Sequence, residues 1–232
     1  MKIGILQCGH APSQIMSEQG DYSDMFEVFL AKSGFSFQTF DVVDMIFPEA
    51  VEQADGWLIT GSKHGAYEDL PFIPPLEDFI RQIYATGRPM VGVCFGHQIV
   101  AQALGGKVEK FQGGWGIGRH DYTTPDGPLT LNAWHQDQVV EKPLDAEVYA
   151  GNDFCANAAL SYGQRAFTIQ PHPEFNADVI ECLIDYRGLG IIPENQLQEA
   201  RDGLPKPVDN PFMAQKITQF FRDAQTVTDT PL

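Results

Sequence analysis

The sequence predicts an α/β protein: a single domain of three layers, α/β/α, with a mostly parallel central sheet and an added antiparallel portion. Three observations carry that prediction. Over residues 2–104, short apolar runs alternate with amphipathic segments at helical spacing, the βαβ pattern of a parallel sheet covered on both faces. Over residues 107–162, strand-like runs follow one another, broken by Gly, Pro, Asp and Asn, which is the pattern of antiparallel pairing. The chain has 232 residues, 43% of them hydrophobic, enough for one full core.

Each element has a local reason. Residues 2–7 form an apolar first strand. Met25, Phe26, Phe29 and Leu30 recur at helical spacing within residues 21–33, with Asp21 or Ser23 as N-cap and Gly34 as stop. Residues 36–42 and 56–60 return to strand. A helix over 76–85 starts after Pro74-Pro75 and stops before Gly87, then a buried strand over 89–93 leads into a helix over 97–104. Short strands follow at 107–111, 116–123, 129–134, 147–150 and 158–162, and a more apolar one at 166–169. Helices are predicted at 177–186, 194–201 and 212–221, with a Pro- and Gly-rich loop at 202–211 and a frayed end at 226–232. No repeat or composition break divides residues 1–232. They read as one domain, with a core over about 2–188 and a C-terminal helical extension over about 189–225.

Composition excludes several functions. Acidic residues outnumber basic ones 31 to 15, for a net charge of −16. Such a surface repels a phosphate backbone, so no nucleic-acid partner is expected. No segment approaches the ~18 apolar residues of a membrane span. The N-terminus reads as a strand rather than a signal peptide, which makes the expected location cytoplasmic. The four cysteines, Cys8, Cys94, Cys155 and Cys182, show no pairing pattern and are expected reduced. No two of the six histidines stand at ligand spacing, so no metal is expected. No phosphate-binding Gly-rich loop is present and no cofactor is expected.

Chemistry concentrates in two motifs. Gly92-Val93-Cys94-Phe95-Gly96-His97-Gln98 places a cysteine between two glycines where a buried strand meets a helix. That is the requirement of a nucleophile elbow, whose sharp turn leaves no room for flanking side chains. The helix N-terminus beside the sulfur favours thiolate. A lone Gly-x-Cys-x-Gly reads first as a structural cysteine beside two packing glycines. Gln170-Pro171-His172-Pro173-Glu174, at the end of another strand, changes the balance. His172 and Glu174 are two apart and project to one side of an extended backbone. A thiol, an imidazole to take its proton and an acid to fix the imidazole make an activated-nucleophile site.

These motifs resemble those of the class I (triad) glutamine amidotransferases, over about residues 2–175. The resemblance is to free-standing members similar to the amidotransferase domain of guanylate synthase, and plant gamma-glutamyl peptidases belong to the same broad group. It implies a flavodoxin-like fold, with Cys94, His172 and Glu174 as catalytic residues acting through a gamma-glutamyl thioester. Phe95 is implied as one oxyanion donor and Gly61 or Ser62 as the other. Gln98, His135, Gln136 and Asp137 are implied in substrate recognition, and Asp137 is also a natural counter-charge for an ammonium group. The turn Gly61-Ser62-Lys63-His64-Gly65-Ala66-Tyr67 departs from the Gly-Gly-Pro or Gly-Pro-Gly turn of synthetase-linked members. It brings Lys63, His64 and Tyr67 toward the mouth, and His10 is a further candidate for that rim. Glutamine or a gamma-glutamyl compound is the implied substrate. With no acceptor-activating domain in the sequence, a synthetase partner would be a separate chain. The alternatives are a stand-alone gamma-glutamyl hydrolase or peptidase, and a non-catalytic regulatory subunit.

Overall fold

The computed structural model describes the backbone of residues 1–228 and the side chains of residues 1–224. In the first half, strands β1 (Lys2–Leu6), β2 (Ser36–Phe40), β3 (Gly56–Ile59) and β4 (Met90–Val93) are interleaved with helices α1 (Ser13–Gln19), α2 (Tyr22–Phe29), α3 (Ile73–Thr86) and α4 (Phe95–Ala103). Strands β5 (Lys107–Lys110), β6 (Gly116–Thr124), β7 (Gly127–His135) and β8 (Asp137–Glu141) follow. The chain then forms β9 (Glu147–Ala150), β10 (Ala159–Ser161) and β11 (Ala166–Ile169). It closes with α5 (Ala177–Leu183), α6 (Glu194–Gly203) and α7 (Asn210–Thr228).

The main sheet has the strand order β2-β1-β3-β4-β11-β10-β9. The first five run parallel and the last two antiparallel. Alternate side chains of each strand enter opposite cores. Trp57 and Ile59 of β3 pack with α3 and α4 on one face, while Leu58 packs with α2 and α7 on the other. That completes the three-layer arrangement the sequence predicts. A third core joins Ile15 of α1, Met25 of α2, Ile180 of α5 and Leu197 of α6.

Local signals act where the sequence places them. Asp21 caps α2 in a reciprocal box with Asp24, and the chain leaves the helix through a left-handed Gly34. Pro74-Pro75 lie in the first turn of α3, and Gly87 ends it in the left-handed region.

The expected antiparallel portion is present and is divided, and three local expectations differ from the structure. β9 and β10 join the main sheet, whereas β5 pairs with β8 and β6 with β7 in separate ribbons. Helix α1 leaves no periodic signal in the sequence, because one buried apolar residue, Ile15, anchors it. Strand β8 lies between the expected strands at 129–134 and 147–150, where the sequence predicts no element. Its Gln138 is buried with its amide donating to the Phe154 carbonyl, 3.1 Å, so a polar residue occupies a core position. The Pro- and Gly-rich loop is shorter than 202–211, because α6 ends at Gly203 and α7 starts at Asn210. At the C-terminus α7 continues through Thr228, and residues 229–232 of the expected frayed end lie outside the described residues.

Candidate active site

Two neighbouring parallel strands deliver the reactive side chains. β4 and β11 pair in register, Val93 opposite Ile169. Cys94 follows one residue after Val93, and its N–H donates to the Ile169 carbonyl at 2.9 Å. His172 follows three residues after Ile169, at the same carboxyl edge of the sheet, where open α/β folds bind ligands.

The elbow is as sharp as the flanking glycines require. Cys94 adopts φ 54° and ψ −105°, a strained conformation for a residue with a Cβ, costing about 1–3 kcal/mol. A Cβ on Gly92 would lie 2.5 Å from the Gly96 carbonyl oxygen, and one on Gly96 would overlap the Ile59 backbone. Strand, turn and helix therefore fit together only with glycine at both positions.

His172 and Glu174 form a buried pair, Nδ1 to Oε1 2.7 Å. The imidazole stacks on Phe175 with centroids 3.9 Å apart and planes 2° from parallel. The His172 N–H donates to the Asn132 carbonyl of β7, 2.8 Å, and the Asn132 amide donates to the Phe175 carbonyl, 3.0 Å. Glu174 and Phe175 thus fix the ring, while the bond from its backbone N–H to Asn132 fixes the chain that carries it. Burial alone would depress the His172 pKa, but the Glu174 carboxylate and the Cys94 thiolate outweigh it and raise the pKa above the ordinary imidazole value. The imidazolium is the favoured form of His172 in this arrangement.

Gly61 closes the other side: a Cβ there would lie 2.9 Å from His172 Cε1 and 3.7 Å from Cys94 Cβ. Its carbonyl accepts a hydrogen bond from the buried Thr60 hydroxyl, 2.9 Å, which fixes the Gly61–Ser62 peptide. Among the described residues, the N–H groups of Phe95, Gly61 and Ser62 donate to no protein acceptor.

Above the thiol opens a cavity of about 370 Å³. Cys94, His172, Ser62, Gln98, His135, Gln136 and Asp137 all line it, together with Lys63, His64 and Tyr67 of the departing turn. The Gln98 amide donates to the Asp137 carbonyl at 2.9 Å and to Gln170 Oε1 at 3.1 Å, so Gln98 is a helix residue turned inward. Asp137 Oδ1 accepts from the Tyr67 hydroxyl, 3.2 Å. Its pKa is raised by burial, with Tyr67 and Lys110 opposing. The His135 ring is buried and its pKa pushed down to about 3, by burial first and then by the neighbouring histidines His120 and His172; it is a neutral hydrogen-bonding group.

Some lining residues carry no signal in the sequence. Tyr22, Trp115, Leu183, Arg187 and Ile191 reach the cavity from the α2 and α5 side. Arg187 does so through a single π-helical turn, Ile184–Gly188, that extends α5. His10, a candidate for the rim, lies elsewhere. It is clasped by Asp21 at 2.6 Å and Asp44 at 3.0 Å and braces the start of α2. The remaining thiols do not line the cavity. Burial raises the pKa of Cys8 and Cys155, and among the described residues no group of side chains could hold a metal.

The model of the glutamine amidotransferase class-I family matches residues 28–181. The chain belongs to that family. Gamma-glutamyl peptidase 4 of Arabidopsis thaliana is 31% identical over 224 residues, covering 89% of each protein. A component of the glutamine-hydrolysing GMP synthase of Methanospirillum hungatei is 37% identical over 97 residues, covering 38% of this chain and 52% of its own. Among solved structures, a glutamine amido transferase from Methylobacillus flagellatus superposes with a TM-score of 0.77 at 20% identity, covering 97% of this chain and 94% of that one. The peptidase and the synthase component are both relatives within the class I amidotransferases, and the fold is the one those proteins share. No helix among the described residues is long and apolar enough to cross a membrane.

Proposed function

We propose that this protein hydrolyses the side-chain amide of glutamine through a γ-glutamyl thioester on Cys94. The carrying observation is the strained Cys94 elbow beside the buried His172–Glu174 pair. The thiolate attacks the γ-carbonyl carbon, and the tetrahedral oxyanion is held by backbone N–H groups. His172 gives its proton to the departing nitrogen, the C–N bond breaks and ammonia leaves. A water, deprotonated by the now neutral His172, opens the thioester to glutamate and frees the thiol. Glu174 keeps Nδ1 protonated and compensates the imidazolium charge.

Phe95 N–H supplies one oxyanion donor. The second is Ser62 N–H. The Gly61 carbonyl is held by Thr60, and in a trans peptide the following N–H points the opposite way, while Ser62 lines the cavity. Asp137 takes the substrate α-ammonium, and Gln98, His135 and Gln136 shape the same end. Ammonia would serve a synthetase on another chain. Incubation with glutamine should release equimolar ammonia and glutamate. A diazoketone mimic of glutamine should label Cys94, and added glutamine should block the labelling. Turnover retained in Cys94→Ala would refute the assignment.

A second reading, a stand-alone γ-glutamyl peptidase with the same thioester, is favoured by the apolar wall of Trp115, Trp134, Leu183 and Ile191. Ammonia as the only leaving group has no use for such a wall. A regulatory role without catalysis is the weakest reading, because a scaffold has no need of a strained cysteine beside a buried ion pair.

A further inference from the structure

The cavity carries more positive charge than a glutamine needs. The α-ammonium and α-carboxylate of a glutamyl group call for one anion and one cation. Asp137 and Lys110 provide them together, since Lys110 lowers the Asp137 pKa through its charge. Arg187 stands apart from that pair. Among the described residues its guanidinium donates to no acceptor and forms no ion pair; the nearby Asp185 is taken by Arg201. Its charge is nevertheless felt at Tyr22, the residue that also feels Cys94 and Glu174. The packing puts it on the His172 side: Leu183, one turn earlier, shares a core with Tyr22 and Phe175, Phe175 stacks on His172, and Arg187 lines the cavity beside them.

That side is where a leaving group must lie, because His172 delivers the proton to the departing nitrogen. The backbone there is set for a purpose other than helix continuity. A π-helical turn inserts an extra residue and re-aims side chains, a device frequent at functional sites. Gly188 fits it tightly against α6 and the cavity wall, because an added Cβ would sit 2.5 Å from Leu197 and 3.3 Å from the Trp134 indole. Trp134 in turn contacts Trp115, ring centroids 6.4 Å apart. An exposed, unpaired guanidinium lining the same cavity as two indoles offers a group with a carboxylate and an apolar body both contacts it needs.

We infer that Arg187 is a specificity-determining residue that binds the carboxylate of an apolar amino-acid leaving group, so that the site takes γ-glutamyl amino acids. This rests on the thioester reading of Cys94. The thiolate bonds to the γ-carbonyl, the amide C–N bond breaks, and the His172 proton passes to the nitrogen of the departing amino acid. The free amino acid leaves with its carboxylate on Arg187, and water then hydrolyses the thioester.

The test compares γ-glutamyl-phenylalanine with γ-glutamyl-phenethylamide, which differs only in lacking the carboxylate, and with glutamine. The wild-type protein should prefer the carboxylated substrate in kcat/KM by about 10- to 100-fold, the range of a hydrogen bond to a charged group. Arg187→Gln should collapse that ratio toward one, and Arg187→Lys should restore part of it. Circular dichroism and diazoketone labelling of Cys94 establish that each variant is folded with a reactive thiol. Equal kcat/KM for the two γ-glutamyl substrates in the wild type, or an unchanged ratio in Arg187→Gln, overturns the inference. Turnover of glutamine alone overturns it too and leaves the thioester chemistry standing. Failure to turn over any of the three, with Cys94 unlabelled, overturns both.

Discussion

Glu174→Gln tests the buried pair with little change in shape. The perturbed contact is a 2.7 Å hydrogen bond between side chains 5% and 1% exposed, so neither partner can turn to solvent instead. A charge-assisted bond of this kind contributes about 1.5–3 kcal/mol. At about 1.4 kcal/mol per pKa unit, its loss lowers the imidazolium pKa by roughly 1–2 units. The same energy is lost from the step in which His172 carries positive charge, so kcat should fall about 10- to 150-fold. Substrate contacts lie at the Asp137 end, so KM should stay within about twofold. The assay is glutamate release across roughly pH 5 to 10, paired with the rate of iodoacetamide alkylation of Cys94. In the wild type the raised His172 pKa keeps the imidazolium to high pH. In Glu174→Gln the pH at which His172 gives up its proton should move down, and the pH profiles of both readouts should move with it. An effect confined to KM, or an alkylation profile that does not move, would show that Glu174 is not the partner of the imidazolium.

Other outcomes follow from the same geometry. Cys94→Gly should be more stable than Cys94→Ala by about 1 kcal/mol, because only glycine is unstrained at φ 54°, partly offset by its freedom in the unfolded chain; equal denaturation midpoints would remove the case for strain. Gly96→Ala should cost about 1–3 kcal/mol through overlap with the Ile59 backbone, read as a lower thermal midpoint; an unchanged midpoint counts against the tight elbow. Asp137→Asn should raise KM for glutamine about 10-fold or more by removing the charge opposite the α-ammonium, and an unchanged KM would move the ammonium site elsewhere. Burial holds the pKa values of His97 and His135 at about 3, so the unfolded chain takes up two protons that the folded one withholds. Stability should then fall as pH drops from about 6.5 toward 3, by roughly 1.4 kcal/mol per pH unit for each ring. Urea titrations at several pH values should show this slope reduced in His97→Gln; a flat profile in the wild type contradicts it.

The parallel half of the fold is legible in the sequence because each strand and helix there carries its own period and its own stop. Met25, Phe26 and Leu30 repeat at helical spacing and face the core, while Gly34 and Gly87 terminate their helices in the left-handed region. The antiparallel half is legible as strands and illegible as pairing. Nothing local to Lys107–Lys110 specifies Asp137–Glu141 as its partner. That register is set by Val108 and Val139 meeting in a core shared with α4. Buried Gln138 hides its strand further, since a satisfied amide in the interior reads as polar in the sequence.

The site divides along the same line. Cys94, His172 and Glu174 can be read in the sequence because strain, proton transfer and charge compensation each demand one residue type at a fixed offset. Adjacency of β4 and β11, which brings the motifs together from 78 positions apart, is a consequence of topology, and the motifs imply it only through the chemistry they would share. The walls are another matter. Leu183, Arg187 and Ile191 recur every four residues, but that spacing is common to any helix face and does not mark a wall, because a binding surface needs a shape and a charge and leaves open which element supplies them. Arg187 is the clearest case. It stands four residues after Leu183, inside the π turn Ile184–Gly188, and both line the cavity, yet nothing in the sequence says that this face looks onto the thiol. Catalytic chemistry is thus written in motifs, and selectivity in wall residues whose meeting only the folded chain displays.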